Sequence, residues 1–62
     1  MDTPKRSYRI VREWSVADAD YTYVCYETTH WRDNETTEKR FTGDREWAEK
    51  NAQHLGIEVK DQ

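Results

Sequence analysis

Apolar and polar positions alternate with a period of two through the first forty residues, and then the period changes. Between Ser7 and Ser15, Tyr8, Ile10 and Trp14 fall on one side with Arg12 among them, while Arg9, Val11 and Glu13 fall on the other. Such alternation of ring-bearing and branched residues predicts a first strand. Ala17-Asp18-Ala19-Asp20 makes a short acidic connection. Tyr21 to Trp31 carries the strongest strand signal, because nearly every residue is aromatic or β-branched and fits a pleated surface. Tyr21, Tyr23 and Cys25 share one face of that strand, and Thr22, Val24, Tyr26 and Thr28 share the other. Large side chains on both faces predict a central position. Arg32-Asp33-Asn34-Glu35 is rich in turn formers, and Thr36 to Phe41 follows as a third strand, antiparallel to the second.

The period changes at Phe41–Gly43. From Asp44 to about Leu55, Trp47, Ala48, Ala52 and Leu55 recur at spacings of three and four, while Glu46, Glu49, Lys50 and Gln53 face away. Asp44 is suited to cap the helix N-terminus, with Thr42 the alternative. Gly56 matches the left-handed stop position, and His54 lies near the carbonyl end. Ile57-Glu58-Val59 alternates once more, enough for a short edge strand. The expected architecture is α+β: a three-stranded antiparallel sheet, a short fourth C-terminal strand, and one C-terminal helix packed on one face. Residues 1–6 are expected to be a mobile polar lead and residues 7–60 a single domain.

Composition changes the picture in two ways. Only 34% of the 62 residues are apolar and 37% are charged, a balance close to that of disordered chains. Three Trp, four Tyr and one Phe argue for folding, since each ring buries roughly 150–250 Å². A chain this short buries only about 60% of its unfolded surface, so its stability is marginal and outside support is expected. Cys25 is the sole cysteine, which rules out an internal disulfide. A lone thiol, the absence of an apolar leader after Met1 and the lack of any long apolar run point to the cytoplasm and away from membranes.

Few constellations promise chemistry. Cys25 and His30 lie five residues apart on an extended strand, hence on opposite faces and over ~16 Å apart. Cys25 is expected to be a small buried hydrophobe, and His54 a favourable charge at a helix end. The thirteen carboxylates fall in turns and on the helix's wet side, where their charges are solvated. Gly43 and Gly56 cannot form a glycine-rich phosphate loop. The chain is therefore expected to be non-enzymatic, with no catalytic residue, metal or cofactor.

Binding is the better prospect. One helix covers one face of a sheet, and Trp14, Tyr21, Tyr23, Tyr26 and Trp31 are too many rings for it. Trp, Tyr and Arg are also enriched at interface hot spots. These five rings, with Arg9 and Arg12 as polar anchors, are expected to contact a protein partner, including a second copy through the sheet face or an edge strand. Acidic chains of this size are commonly phage or mobile-element accessory factors that modulate or inhibit a host machine. The alternative is a nucleic-acid module using Arg9, Arg12, Lys39 and Arg40 around the same rings. From Tyr21 to Leu55, the order of strands and helix and the join at Phe41 resemble the arm-type DNA-binding domains of phage and transposon integrases. That resemblance implies a sheet face entering the major groove. The net charge of −3 departs from the basic character of that family.

Overall fold

The computed structural model describes residues 3–61. Strands β1 (Lys5–Ser15), β2 (Asp20–His30) and β3 (Thr36–Gly43) are followed by helix α1 (Arg45–Leu55) and strand β4 (Val59–Asp61). The chain is thus an α+β protein in which three antiparallel strands and a short fourth carry one helix. Sheet order is β3-β2-β1-β4. β1 and β2 pair along their full length, from Lys5↔His30 to Ser15↔Asp20. β2 pairs with β3 from Tyr23↔Gly43 to His30↔Thr36. β4 lies parallel to β1 at Ile10↔Val59, Val11↔Lys60 and Arg12↔Asp61. Of the polar lead expected over residues 1–6, Met1 and Asp2 lie outside the described residues. Lys5 and Arg6 belong to β1, opposite His30 and Thr29.

The turns follow from local chemistry. Between β2 and β3 the chain reverses at Asn34, whose φ of 64° lies in the left-handed region that asparagine tolerates. Trp31 N–H donates to the Glu35 carbonyl at 2.8 Å and closes that turn. Between β1 and β2, Ala19 takes a φ of 51°, a strained value for a residue with a Cβ. Ser15 Oγ donates to the Asp18 carboxylate at 3.1 Å and accepts from the Asp18 N–H at 3.4 Å, which holds the loop in that shape.

Asp44 caps α1, its carboxylate accepting from Trp47 N–H at 2.8 Å; such a cap contributes about 1 kcal/mol. Gly56, at φ 69°, ends the helix, and its N–H returns to the carbonyls of the last turn. The alternative cap at Thr42 is not used, since Thr42 is still in β3. Buried Ala48 and Ala52 let the helix approach Ile10 and Cys25 closely, with Tyr8, Tyr23, Trp47, Leu55, Ile57 and Val59 packed around them. Val11 and Val24 are buried on the opposite sheet face.

Because β3 and β4 lie at opposite edges of the sheet, α1 must cross it diagonally. It leaves β3 at Gly43 and packs on β2, β1 and β4. The molecule measures 43 × 25 × 15 Å, long and thin.

Trp47 lies flat on the backbone of Gly43. A Cβ added there would stand 2.4 Å from the indole, so only glycine fits. We expect Gly43→Ala to destabilise the fold by about 1–3 kcal/mol, as overpacking of a filled site does, measured by urea unfolding. An unchanged midpoint would show that Trp47 is not seated there.

Candidate functional site

The cross-strand register sorts the rings by face. Tyr8, Ile10, Arg12 and Trp14 of β1 share the helix side with Tyr21, Tyr23, Cys25 and Glu27 of β2 and with Lys39, Phe41 and Gly43 of β3. Tyr26 is the one Tyr, Trp or Phe of the strands on the open side, beside Arg9, Val11, Glu13, Val24, Glu38 and Arg40. The surplus rings therefore sit on the same face as the helix, beyond its reach, and not on the face it leaves bare. An 11-residue helix spans roughly 16 Å, whereas an 11-residue strand spans roughly 36 Å.

The first group of uncovered rings lies where β1 and β2 run on without β3 or β4 beside them. Trp14 and Tyr21 are direct cross-strand partners, their rings edge-to-face with centroids 5.2 Å apart and an interplanar angle of 82°. The Arg12 guanidinium lies over Tyr21, 4.2 Å from its centroid. Arg12 Nε is buried and 3.2 Å from Asp61 Oδ1, not aligned for a hydrogen bond, so the carboxylate acts as a neighbouring charge. Trp14 is 56% exposed, Tyr21 48%, and Val16 in the adjoining loop 86%. An edge-to-face pair contributes about 0.5–1.5 kcal/mol and an exposed cation–π contact about 0.5–1 kcal/mol. Both contacts are made within the monomer.

The remaining exposed rings lie elsewhere. Trp31, at the far end of β2, donates from Nε1 to Thr37 Oγ1 at 3.0 Å and stays half exposed. Phe41, on edge strand β3, is also half exposed. It borders an open groove of about 680 Å³ between β3 and α1, lined by Tyr8, Trp47, Leu55, Asn51 and His54 among others. The groove opens because the helix diverges from β3 after Gly43.

The open face is occupied by charge. Tyr26 Oη donates to Glu13 Oε1 at 2.6 Å, and Arg40 donates to Glu13 Oε2 at 3.3 Å. Arg9 lies over the Tyr26 ring, 4.1 Å from its centroid, and pairs with Glu38 at 3.4 Å. Of the residues expected to contact a partner, Trp14, Tyr21 and Arg12 therefore come together, and Arg9 and Tyr26 form a second group on the other face. Tyr23 is packed against the core, and Trp31 stands apart. The four cations of the nucleic-acid alternative divide between two faces: Arg9 and Arg40 on the open side, Arg12 and Lys39 on the helix side. Each stands beside a carboxylate, Lys39 opposite Glu27 in the register.

Neither Val16 nor Phe41 is among the residues expected to contact a partner, although Phe41 lies next to the basic pair Lys39-Arg40 in the sequence; both are apolar residues at places that only the topology exposes. Cys25 lines the groove with His54, while His30 is on the open face near Ser7. Burial pushes the Cys25 thiol above its usual range, and the Glu27 charge adds to the effect. Among the described residues no three His, Cys, Asp or Glu side chains gather as a metal site, and no helix is long and apolar enough to cross a membrane. Comparison with protein-family models, with curated proteins and with solved structures finds no match.

Two outcomes follow from this geometry. Cys25 should be alkylated by iodoacetamide at least about tenfold more slowly in the native chain than in urea, because little thiolate forms and access is poor. Equal rates would contradict its burial. Glu13 is held below the ordinary carboxylate range, first by the Tyr26 hydroxyl and then by Arg40, against the opposing effect of burial. A depressed folded pKa means that its stabilisation is present above the unfolded value and is lost as pH falls through the folded one. Tyr26→Phe should raise the Glu13 midpoint in a carboxyl NMR titration and move the onset of acid unfolding to higher pH. An unmoved midpoint would remove the hydroxyl as the cause.

Proposed function

We propose that this chain is a small, non-enzymatic protein-binding module that docks through the helix-side end of the β1–β2 hairpin. One observation carries the reading: Trp14, Tyr21 and Val16 stand exposed on a two-stranded projection, with Arg12 and the Trp14–Tyr21 contact fixing the rings in place. Rigid Trp and Tyr side chains backed by an arginine are the residue types that dominate binding energy at protein interfaces. Ordering them in advance lowers the entropy lost on docking. Asp18, Asp20 and Asp61 flank the rings, so the complementary surface is an apolar pocket with a basic rim. Size and a net charge of −3 fit an accessory factor that modulates a larger machine, of the kind phages and mobile elements encode. Self-association belongs to the same reading, because a domain this small gains stability from a second copy.

The test uses the whole chain as bait, with a photo-crosslinking side chain at Val16, in nuclease-treated lysate of the cells that naturally make it. The expected result is one protein crosslinked at Val16. Its retention should fall at least about tenfold with the double change Trp14→Ala, Tyr21→Ala. Equal retention by the double variant would refute the hairpin site. Retention seen only in a parallel lysate without nuclease would transfer the role to nucleic acid and the Arg9, Arg12, Lys39, Arg40 alternative.

A further inference from the structure

β3 is an eight-residue edge strand whose residues Thr36 to Thr42 are all exposed, and it contains no proline. Its outer row of backbone N–H and C=O groups has no strand beside it, the ordinary template for pairing with another chain. The other edge is β1 with the three-residue β4 across its middle at Ile10–Arg12, so the free stretches there, 5–9 and 13–15, are each shorter than β3.

Charge complementarity selects the occupant. Two copies joined antiparallel along β3, with their helices on the same side, are related by a twofold axis perpendicular to the sheet. Each residue then meets one from its own face, so a single residue must lie on the axis. Centring on Glu38 or Arg40 sets like charges against each other on the axis and makes no new opposite-charge pair across the joint. Centring on Phe41 uses only residues 39–43 and leaves Glu38 opposite Asp44 of the second copy.

Centring on Lys39 pairs residues 36–42 in full. Glu38 then faces Arg40 of the second copy, twice over. Because Glu38 already holds Arg9 and Arg40 already holds Glu13, the new contacts link these pairs into alternating rows of charge across the joint. The two Lys39 side chains meet on the axis, each beside its own Glu27. Phe41 faces Thr37 of the second copy, the residue that holds Trp31. Two half-exposed rings per copy are thereby brought to the joint.

We infer that the chain self-associates through β3, antiparallel about Lys39, to form one continuous eight-stranded sheet. This deepens the self-association part of the proposed function and is independent of the hairpin docking site. Two half-exposed strands joined by backbone bonds and four ion pairs or ring contacts make a modest interface, so the dimer assembles in the micromolar range typical of small contacts.

The test is position-specific. Lys39→Cys should form an intermolecular disulfide under mild oxidation, since directly opposed strand residues lie within the Cα separation that a disulfide allows. Thr37→Cys alone and Phe41→Cys alone should not, because each lies roughly 13 Å along the strand from its own copy; a mixture of the two should crosslink. Wild type under the same oxidation controls for Cys25. In sedimentation equilibrium, wild type should reach twice the monomer mass, and Glu38→Arg, which sets like charges against Arg40, should weaken the dimer by about tenfold or more. Trp14→Ala with Tyr21→Ala should leave both results unchanged, which separates this joint from the hairpin site. A monomer at several hundred micromolar would overturn the inference. So would a dimer that crosslinks at residue 37 alone and not at residue 39.

Discussion

The structure depends on a mismatch of length. Two strands of eleven residues support a helix of the same count, and extended chain is more than twice as long per residue as helix. Everything under the helix forms the core: Ile10, Cys25, Ala48 and Ala52, with Tyr8, Tyr23, Trp47 and Leu55 around them. Everything on the same face but past the helix stays half uncovered: Trp14 and Tyr21 at one end, Trp31 at the other, Phe41 at the flank. The diagonal path from β3 to β4 adds to this by drawing the helix away from Phe41. The exposed rings are a consequence of where a short lid can lie on a long sheet.

The opposite face meets its own needs within the monomer. Val11 and Val24 are buried there although no helix covers them. Above them, the Glu13 carboxylate takes hydrogen bonds from Tyr26 and Arg40, and Arg9 spans from the Tyr26 ring to Glu38. Exposed pairs of this kind contribute little individually. Their long aliphatic stems nevertheless cover apolar surface while the charged heads stay wet. One face is therefore closed by charge and the other is left open by geometry.

Much of this was legible in the chain. Period-two alternation located β1, β2 and β3, the change at Phe41–Gly43 located α1, and Asp44 and Gly56 act as the caps that their chemistry predicts. Alternation also divided Tyr21, Tyr23 and Cys25 from Val24 and Tyr26 correctly. It carries no information on which face the helix takes, so the surplus rings were countable but not placeable. Nor does it fix register: Arg9, Tyr26 and Arg40 become neighbours only through the pairings Arg9↔Tyr26 and Tyr26↔Arg40. The parallel placement of β4 against β1 is equally non-local, since three residues around Val59 carry too little pattern to choose a partner. Gly43 marked only the change of period in the sequence, but its role is to admit the Trp47 ring, a contact invisible without coordinates.

Packing of the helix on the sheet shelters one tryptophan, Trp47, and leaves Trp14 and Trp31 uncovered. Hydroxyl-radical footprinting of the dilute chain, read residue by residue by mass spectrometry, tests it most directly. Rapid oxidation of Trp14 and Trp31 and clear protection of Trp47 are expected. Protection of all three alike, at a concentration where the chain is monomeric, would contradict it.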